Sequence, residues 1–414
     1  YTFSVTPSAQ GLVSINVAAG VATDAAGNGN TAAATLSRTY DSVQPTLVLS
    51  TTAADPTNLS PFTVTATFSK SVSGFTLEDI TVTNGAASAL SGGPSIYTFS
   101  ITPSSDGLVT VDVAADVATD SVGNGNTAAV TLSRTYDGTA PGLTLSTAVS
   151  DPTNVSPFTV TATFSEDVSG FTLGDITVTN GIAGSLSGGP NIYTFIVTPS
   201  SNDLVSIDVA ADVATDAAGN GNTAAATLSR TYDSVQPTLV LSTTAADPTN
   251  LSPFTVTATF GKDVSGFALG DIIVTNGVAS SLSGGPSVYT FDVTPSSDGI
   301  VSIDVAADVA TDSVGNGNTA AATLSRIYDG TAPILVLSTT IVDPTNLSPI
   351  SLTATFSEDV TDFELGDITV TNGIASSLSG GPSIYTFDVT PSSDGLVSID
   401  VGADVATDSV GNGN

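Results

Sequence analysis

The chain repeats itself every 96 residues, and that period constrains its fold more than any other feature. Tyr-Thr-Phe begins at Tyr1, Tyr97, Tyr193, Tyr289 and Tyr385, and an aspartate keeps step at Asp41, Asp137, Asp233 and Asp329. Counted from that aspartate, the chain is expected to hold three whole repeats, 41–136, 137–232 and 233–328. Residues 1–40 would be the C-terminal part of one further repeat, and 329–414 a repeat lacking its last strand. A period of 192 lies on top of this, since residues 21–68 and 213–260 are identical. Identity that long points to recent duplication, so recurrence between the diverged neighbours is the more informative signal. The two end pieces, 40 and 86 residues long, exceed one repeat when joined. They are therefore expected to be cuts in a longer array rather than halves that swap one-to-one.

Within 41–136 the pattern alternates with period 2, the mark of half-buried strands. Phe62, Val64, Ala66 and Phe68 point one way, and Thr63, Thr65 and Thr67 the other. Seven strands are expected, A near 46–52, B near 62–69, C near 80–84, D near 86–91, E near 96–102, F near 108–114 and G near 127–136. Asn84-Gly85 predicts a two-residue hairpin between C and D with positive φ at both positions. Seven short strands in one 96-residue repeat, with no helical period, predict an all-β tandem array of immunoglobulin-like sandwiches.

Composition narrows the chemistry. Cys, His, Met and Trp are all absent. There is thus no disulfide, no N/S metal site, no thiol nucleophile and no imidazole base. With 39 acidic and 6 basic residues the formal charge is -33, which repels nucleic acid and anionic membranes. Apolar residues make up 40% and charged ones 11%, enough to build cores. No apolar run is long enough to span a membrane. An enzyme is disfavoured on these grounds.

Asp-Gly-Thr-Ala-Pro, Asp-Pro-Thr-Asn, Pro-Phe-Thr-Val-Thr-Ala-Thr-Phe-Ser-Glu-Asp-Val, Gly-Asp-Ile-Thr-Val-Thr-Asn-Gly and Val-Ala-Thr-Asp-x-x-Gly-Asn, intact in some repeats and varied in the others, run along the whole chain. Together they resemble the tandem bacterial Ig-like repeats of giant surface adhesins and extracellular fibres. That resemblance implies a stalk or extender at the cell surface, with calcium at or near domain junctions. Pilin-type sandwiches carry an internal Lys–Asn isopeptide bond. Lysine occurs here only at Lys70 and Lys262, so stapling of that kind does not fit.

Strand parity then places the acidic loops. The start of A and the BC and FG loops share one end of a seven-strand sandwich. Asp137, the BC residues Glu166, Asp167 and Asp175, and the FG residues Asp212, Asp216, Asn220 and Asn222 should therefore lie together. They should face the AB loop (Asp55) and EF loop (Asp106) of the preceding repeat. Such a concentration of hard oxygen donors suits Ca²⁺. The equivalent candidates are Asp41, Asp116, Asp120 and Asn124 in repeat 41–136, and Asp233, Asp308, Asp312 and Asn316 in repeat 233–328. In the last repeat they are Asp329, Asp404, Asp408 and Asn412. Lys70 and Ser71 replace the Glu-Asp pair in repeat 41–136, which puts a charged BC ligand there in doubt. Asp and Asn also favour turns for local reasons, and Asp55 reads mainly as a turn former. Arg38 and its repeats read as partners of a nearby carboxylate, and Tyr97 and Phe99 as core rather than a sugar platform.

The expected function is a structural extender stiffened by calcium, whose partners are neighbouring repeats and, in a fibre, lateral copies. The alternatives are a Thr-rich face that binds glycan, mineral or ice, and a laterally self-assembling filament.

Overall fold

The computed structural model describes all 414 residues. They divide into two compact units, Tyr1–Ser150 with Val155–Arg230, and Asp151–Asn154 with Thr231–Asn414. In the first unit, β1 (Gly11–Ile15) and β2 (Leu36–Tyr40) form a two-stranded antiparallel sheet. Repeat 41–136 follows with β3 (Leu47–Ser50), β4 (Phe62–Phe68), β5 (Ile80–Thr83), β6 (Gly85–Gly92), β7 (Ile96–Pro103), β8 (Gly107–Val113) and β9 (Leu132–Tyr136).

These strands make two sheets, β3-β4-β7-β6 and β5-β8-β9, which is the immunoglobulin arrangement of A-B-E-D over C-F-G. The period-2 pattern is what buries them. Phe62, Val64, Ala66 and Phe68 are at most 3% exposed, whereas Thr63 and Thr67 face solvent. Val64 pairs with Phe99 across β4 and β7. Val109, Val111 and Val113 from the other sheet close the core. Phe68, Phe75 and Tyr97 meet edge-to-face with centroids 5.1–5.9 Å apart. Tyr97 and Phe99 are thus packing residues.

The Asn84-Gly85 expectation is corrected. β5 pairs with β8 and β6 with β7, so the chain crosses between sheets at this point instead of folding back on itself. Only Asn84 takes the left-handed conformation, at φ 57. Its amide donates to Ser105 O at 2.8 Å and accepts from Ser105 Oγ at 3.0 Å, which anchors the crossing to the turn between β7 and β8. Glycine follows because a Cβ at residue 85 would lie 2.9 Å from Thr102 O. The last strand is also shorter than expected. It begins at Leu132, and the segment before it bonds singly through Thr127 N to Pro45 O and Ala129 N to Val113 O.

Repeat 137–232 forms the same four-stranded sheet from Leu143–Ser146, Phe158–Phe164, Ile192–Pro199 and Gly181–Gly188. The second unit builds two further sandwiches around separate cores, one in 233–328 and one in 329–414. In the last of these, Ile368–Thr371 pairs with Ser398–Val401 alone.

The AB loop is laced to the last strand of its own repeat. Asp55 Oδ1 accepts from Thr135 N at 2.9 Å, and Arg134 Nε donates to Ala53 O at 3.0 Å. Asp55 is therefore a fastener and not part of a ligand set, and Arg134 bonds a carbonyl where a carboxylate was expected. Thr57 N bonds Thr135 O, and Asp137 N returns the bond to Thr57 O at 3.0 Å. The linker into the next repeat is thus held by main-chain bonds rather than left as a flexible coil.

Candidate metal centre

The Asp-x-x-Gly-Asn-Gly-Asn loop builds the rear wall of the centre. Asn222 is 1% exposed. Its amide accepts from Val213 N and Ala214 N and donates to Ala210 O and Thr223 O, all at 2.8–3.0 Å. That clamp fixes a loop in which Asp216 Oδ1 accepts the N–H groups of Ala218, Gly219 and Asn220 at 2.7–2.9 Å. Asp216 is only 7% exposed, yet one face of its carboxylate reaches the junction. Carboxylate oxygens of Asp216, Asp137 and Glu166 all lie within 4.8 Å of one another. In the second unit Asp329, Glu358 and Asp408 form the same group.

A fourth carboxylate, outside that group, reaches the linker from the preceding repeat. Asp106 Oδ1 accepts from Gly138 N at 2.7 Å and Oδ2 from Thr139 Oγ1 at 2.5 Å. Asp298 holds Gly330 and Thr331 in the same way. Burial, and then repulsion from Asp137, Asp216 and Asp106, raise the Glu166 carboxyl above the ordinary glutamate range. Glu358 is raised by the same causes.

Several expected ligands fall elsewhere. Asp116, Asp212, Asp308 and Asp404 sit at φ 60–65 and open the loop instead of joining a triad. Asp212 Oδ1 lies over Gly221, only 2.1 Å from where a Cβ would stand. Asp175 caps a one-turn 3-10 helix, accepting from Thr172 N and Oγ1 at 2.7 and 2.8 Å. Asp167 is not in the acidic group. Asn220 turns its N–H groups inward, donating to Asp216 Oδ2 and Asp137 O, both at 2.9 Å. Asn124, Asn316 and Asn412 do likewise, so it is the amide nitrogen of each that meets the aspartate carboxylate. Asn222 is wholly occupied as the clamp.

In the repeats that carry lysine, the aspartates expected to bind calcium meet an ammonium instead. Lys70 Nζ lies 2.8 Å from Asp41 and 2.9 Å from Asp120, and it also donates to Val43 O. Lys262 meets Asp233 at 2.7 Å and Asp312 at 3.0 Å. Asp41, Asp120, Asp233 and Asp312 are the counterparts of Asp137 and Asp216, and they already hold an ammonium.

A cation therefore fits this position chemically. The same two aspartates hold a tethered ammonium in one repeat, and in the next they face a glutamate. The donors are all hard oxygens, which favours Ca²⁺ over softer ions.

Opposite pH responses follow from the two arrangements. A raised glutamate contributes stability that is full below its ordinary value, about 4.3, and is lost as pH rises through the folded-state value. In chelator the junction at Asp137 should therefore loosen as pH climbs from about 4 toward neutrality. Lys70 is raised by its bonds to Asp41 and then Asp120. Its contribution is full throughout that window and is lost only above about 10.4. Carbon-13 carboxyl titration of Glu166 checks this, and a midpoint at or below the ordinary glutamate value would refute it.

A family model for a bacterial Ig-like domain matches residues 41–136, 137–232, 233–327 and 329–414. The chain belongs to the bacterial Ig-like domain family. Among solved structures, these Ig-like domains are similar to invasin, a bacterial integrin-binding protein. The identity is 14%, over 86% of this chain and 76% of that one, with a TM-score of 0.33. Domains 1–6 of the surface-layer protein SbsC match at 14% identity over 88% of this chain and 66% of that one, with a TM-score of 0.18. No curated protein sequence matches significantly.

Proposed function

We propose that this chain is an extender segment of an extracellular bacterial surface protein, an adhesin or fibre, whose Ig-like domains each begin at the recurring aspartate. In this reading Ca²⁺ stiffens the junctions at Asp137 and Asp329. One observation carries it. Asp137 is bonded through its backbone to Thr57 of the preceding repeat, while its side chain belongs to the triad with Glu166 and Asp216. A cation held there ties the linker to two loops of the new domain. Asp329 repeats the arrangement through Thr249.

When bound, the ion supplies positive charge that offsets the mutual repulsion of the carboxylates. The protein's own part is to hold Asp216 in place through its N–H bonds and Asp137 through the linker. Nothing in this role calls for catalysis, and the work of the segment is mechanical.

The full chain should melt several degrees higher in 5 mM Ca²⁺ than in chelator. An affinity near 10⁻⁴ M gives about 2 kcal/mol by mass action. The paired variants Glu166→Gln and Glu358→Gln should remove most of that rise. Identical melting curves and identical small-angle scattering with and without chelator would overturn the calcium part of the reading.

A further inference from the structure

We propose that residues 70, 166, 262 and 358, one position of the repeat, decide which junctions require a divalent cation. Lysine makes a junction that carries its own cation, and glutamate makes one that must recruit it. The array would then alternate metal-independent junctions, opening repeats 41–136 and 233–328, with metal-requiring junctions opening 137–232 and 329–414. The inference rests on the calcium reading above for the glutamate class only.

The geometry of the lysine class stands by itself. Lys70 Nζ touches both Asp41 oxygens, Asp120 Oδ2 and Val43 O, and Lys262 repeats every one of these contacts. The Asp120 and Asp312 side chains are each only 4% exposed, so these ammonium groups lie against anions largely withdrawn from water. Lys70 also reaches the main chain of the linker at Val43, which ties linker, BC loop and FG loop together through one side chain. A divalent ion at that place would have to displace a tethered ammonium from four oxygens and then sit beside its charge.

The preceding repeat alternates in the same phase. At the position that faces the linker within each unit, residues 10, 106 and 298 read Gln, Asp and Asp. Before Lys70, Gln10 Oε1 accepts from Ser42 N at 2.9 Å with a neutral amide. Before Glu166, Asp106 accepts from Gly138 N with a carboxylate. The lysine junction in the first unit thus gathers two carboxylates around one ammonium. The glutamate junctions group three carboxylates, with a fourth bonded to the linker, and no basic group. In the first unit two elements from different repeats change charge together, Gln10 with Lys70 and Asp106 with Glu166, which is what two classes of cation demand would require. Chelation should then loosen every second junction and leave the others closed.

Calcium titration of the full chain by calorimetry, with chain variants, tests this. The unaltered chain should bind two tight Ca²⁺, Lys70→Glu with Lys262→Glu should bind four, and Glu166→Lys with Glu358→Lys none. Four tight sites in the unaltered chain, or no gain in the Lys→Glu pair, would overturn the proposal while leaving calcium binding intact. No binding by the unaltered chain would instead overturn the calcium reading. The lysine claim is then decided by melting in chelator, where Glu166→Lys with Glu358→Lys should raise the midpoint by about 5 °C. An unchanged or lowered midpoint would overturn it.

Discussion

Asn222→Ala should destabilise its domain by about 3 kcal/mol and release Asp216 from the junction. The side chain is buried and makes four hydrogen bonds, two as acceptor and two as donor, all to backbone of one loop. Alanine replaces none of them. Each unsatisfied buried backbone group costs about 1–3 kcal/mol, and water entering the vacated space recovers part of the total. Asn222→Asp keeps the acceptor but turns an anionic oxygen toward the carbonyls of Ala210 and Thr223, and it should cost at least as much. Hydrogen exchange of residues 205–225 would record the loss. Calcium uptake at Asp137, Glu166 and Asp216 should weaken together with it. A loss below about 1 kcal/mol would mean that the loop is held by its backbone bonds and that the clamp is dispensable.

Phe99→Ala should cost about 4 kcal/mol, a large part of the 5–15 kcal/mol typical of a whole domain. Phe99 is 1% exposed and lies opposite Val64, between the two sheets. Removing the ring leaves a cavity that neither sheet can close without breaking its pairing. The damage should stay within repeat 41–136, because 233–328 and 329–414 enclose cores of their own. Hydrogen exchange read by repeat would show fast exchange in 41–136 and native protection in 233–328. Uniform loss along the chain would mean that the domains unfold as one body.

Much of this protein was legible in its residues. The alternation of Phe62, Val64, Ala66 and Phe68 with threonines specifies a strand with one dry face, since successive side chains in a strand must alternate. Strand parity brought Asp137, Glu166 and Asp216 to one end of a sandwich, and there the structure groups their carboxylates. The same parity also nominated Asp212, Asn220 and Asn222. It could not separate them, because every residue of a loop shares that end of the fold. The separation comes from φ and from hydrogen-bond partners. Asp212 is left-handed and turns over Gly221, Asn222 points into its own loop, Asn220 meets the linker with its amide nitrogen, and Asp216 alone brings a carboxylate to the group.

Asn84-Gly85 shows the same limit. Its local preference for positive φ was read correctly for Asn84. Whether a turn returns to its own sheet or crosses to the other depends on which strands find partners, and that is a matter of long-range pairing. Lys70 is the plainest instance. Read along the chain it was a gap in a ligand set. Folded, its ammonium lies between Asp41 and Asp120, residues 29 positions before it and 50 after it. Periodicity by itself determined the repeat, the strand faces and the end at which the acids gather, because those follow from the geometry of one strand. Only the tertiary structure decided which acids meet and which already hold a cation, because that depends on distances between segments that the chain order does not contain.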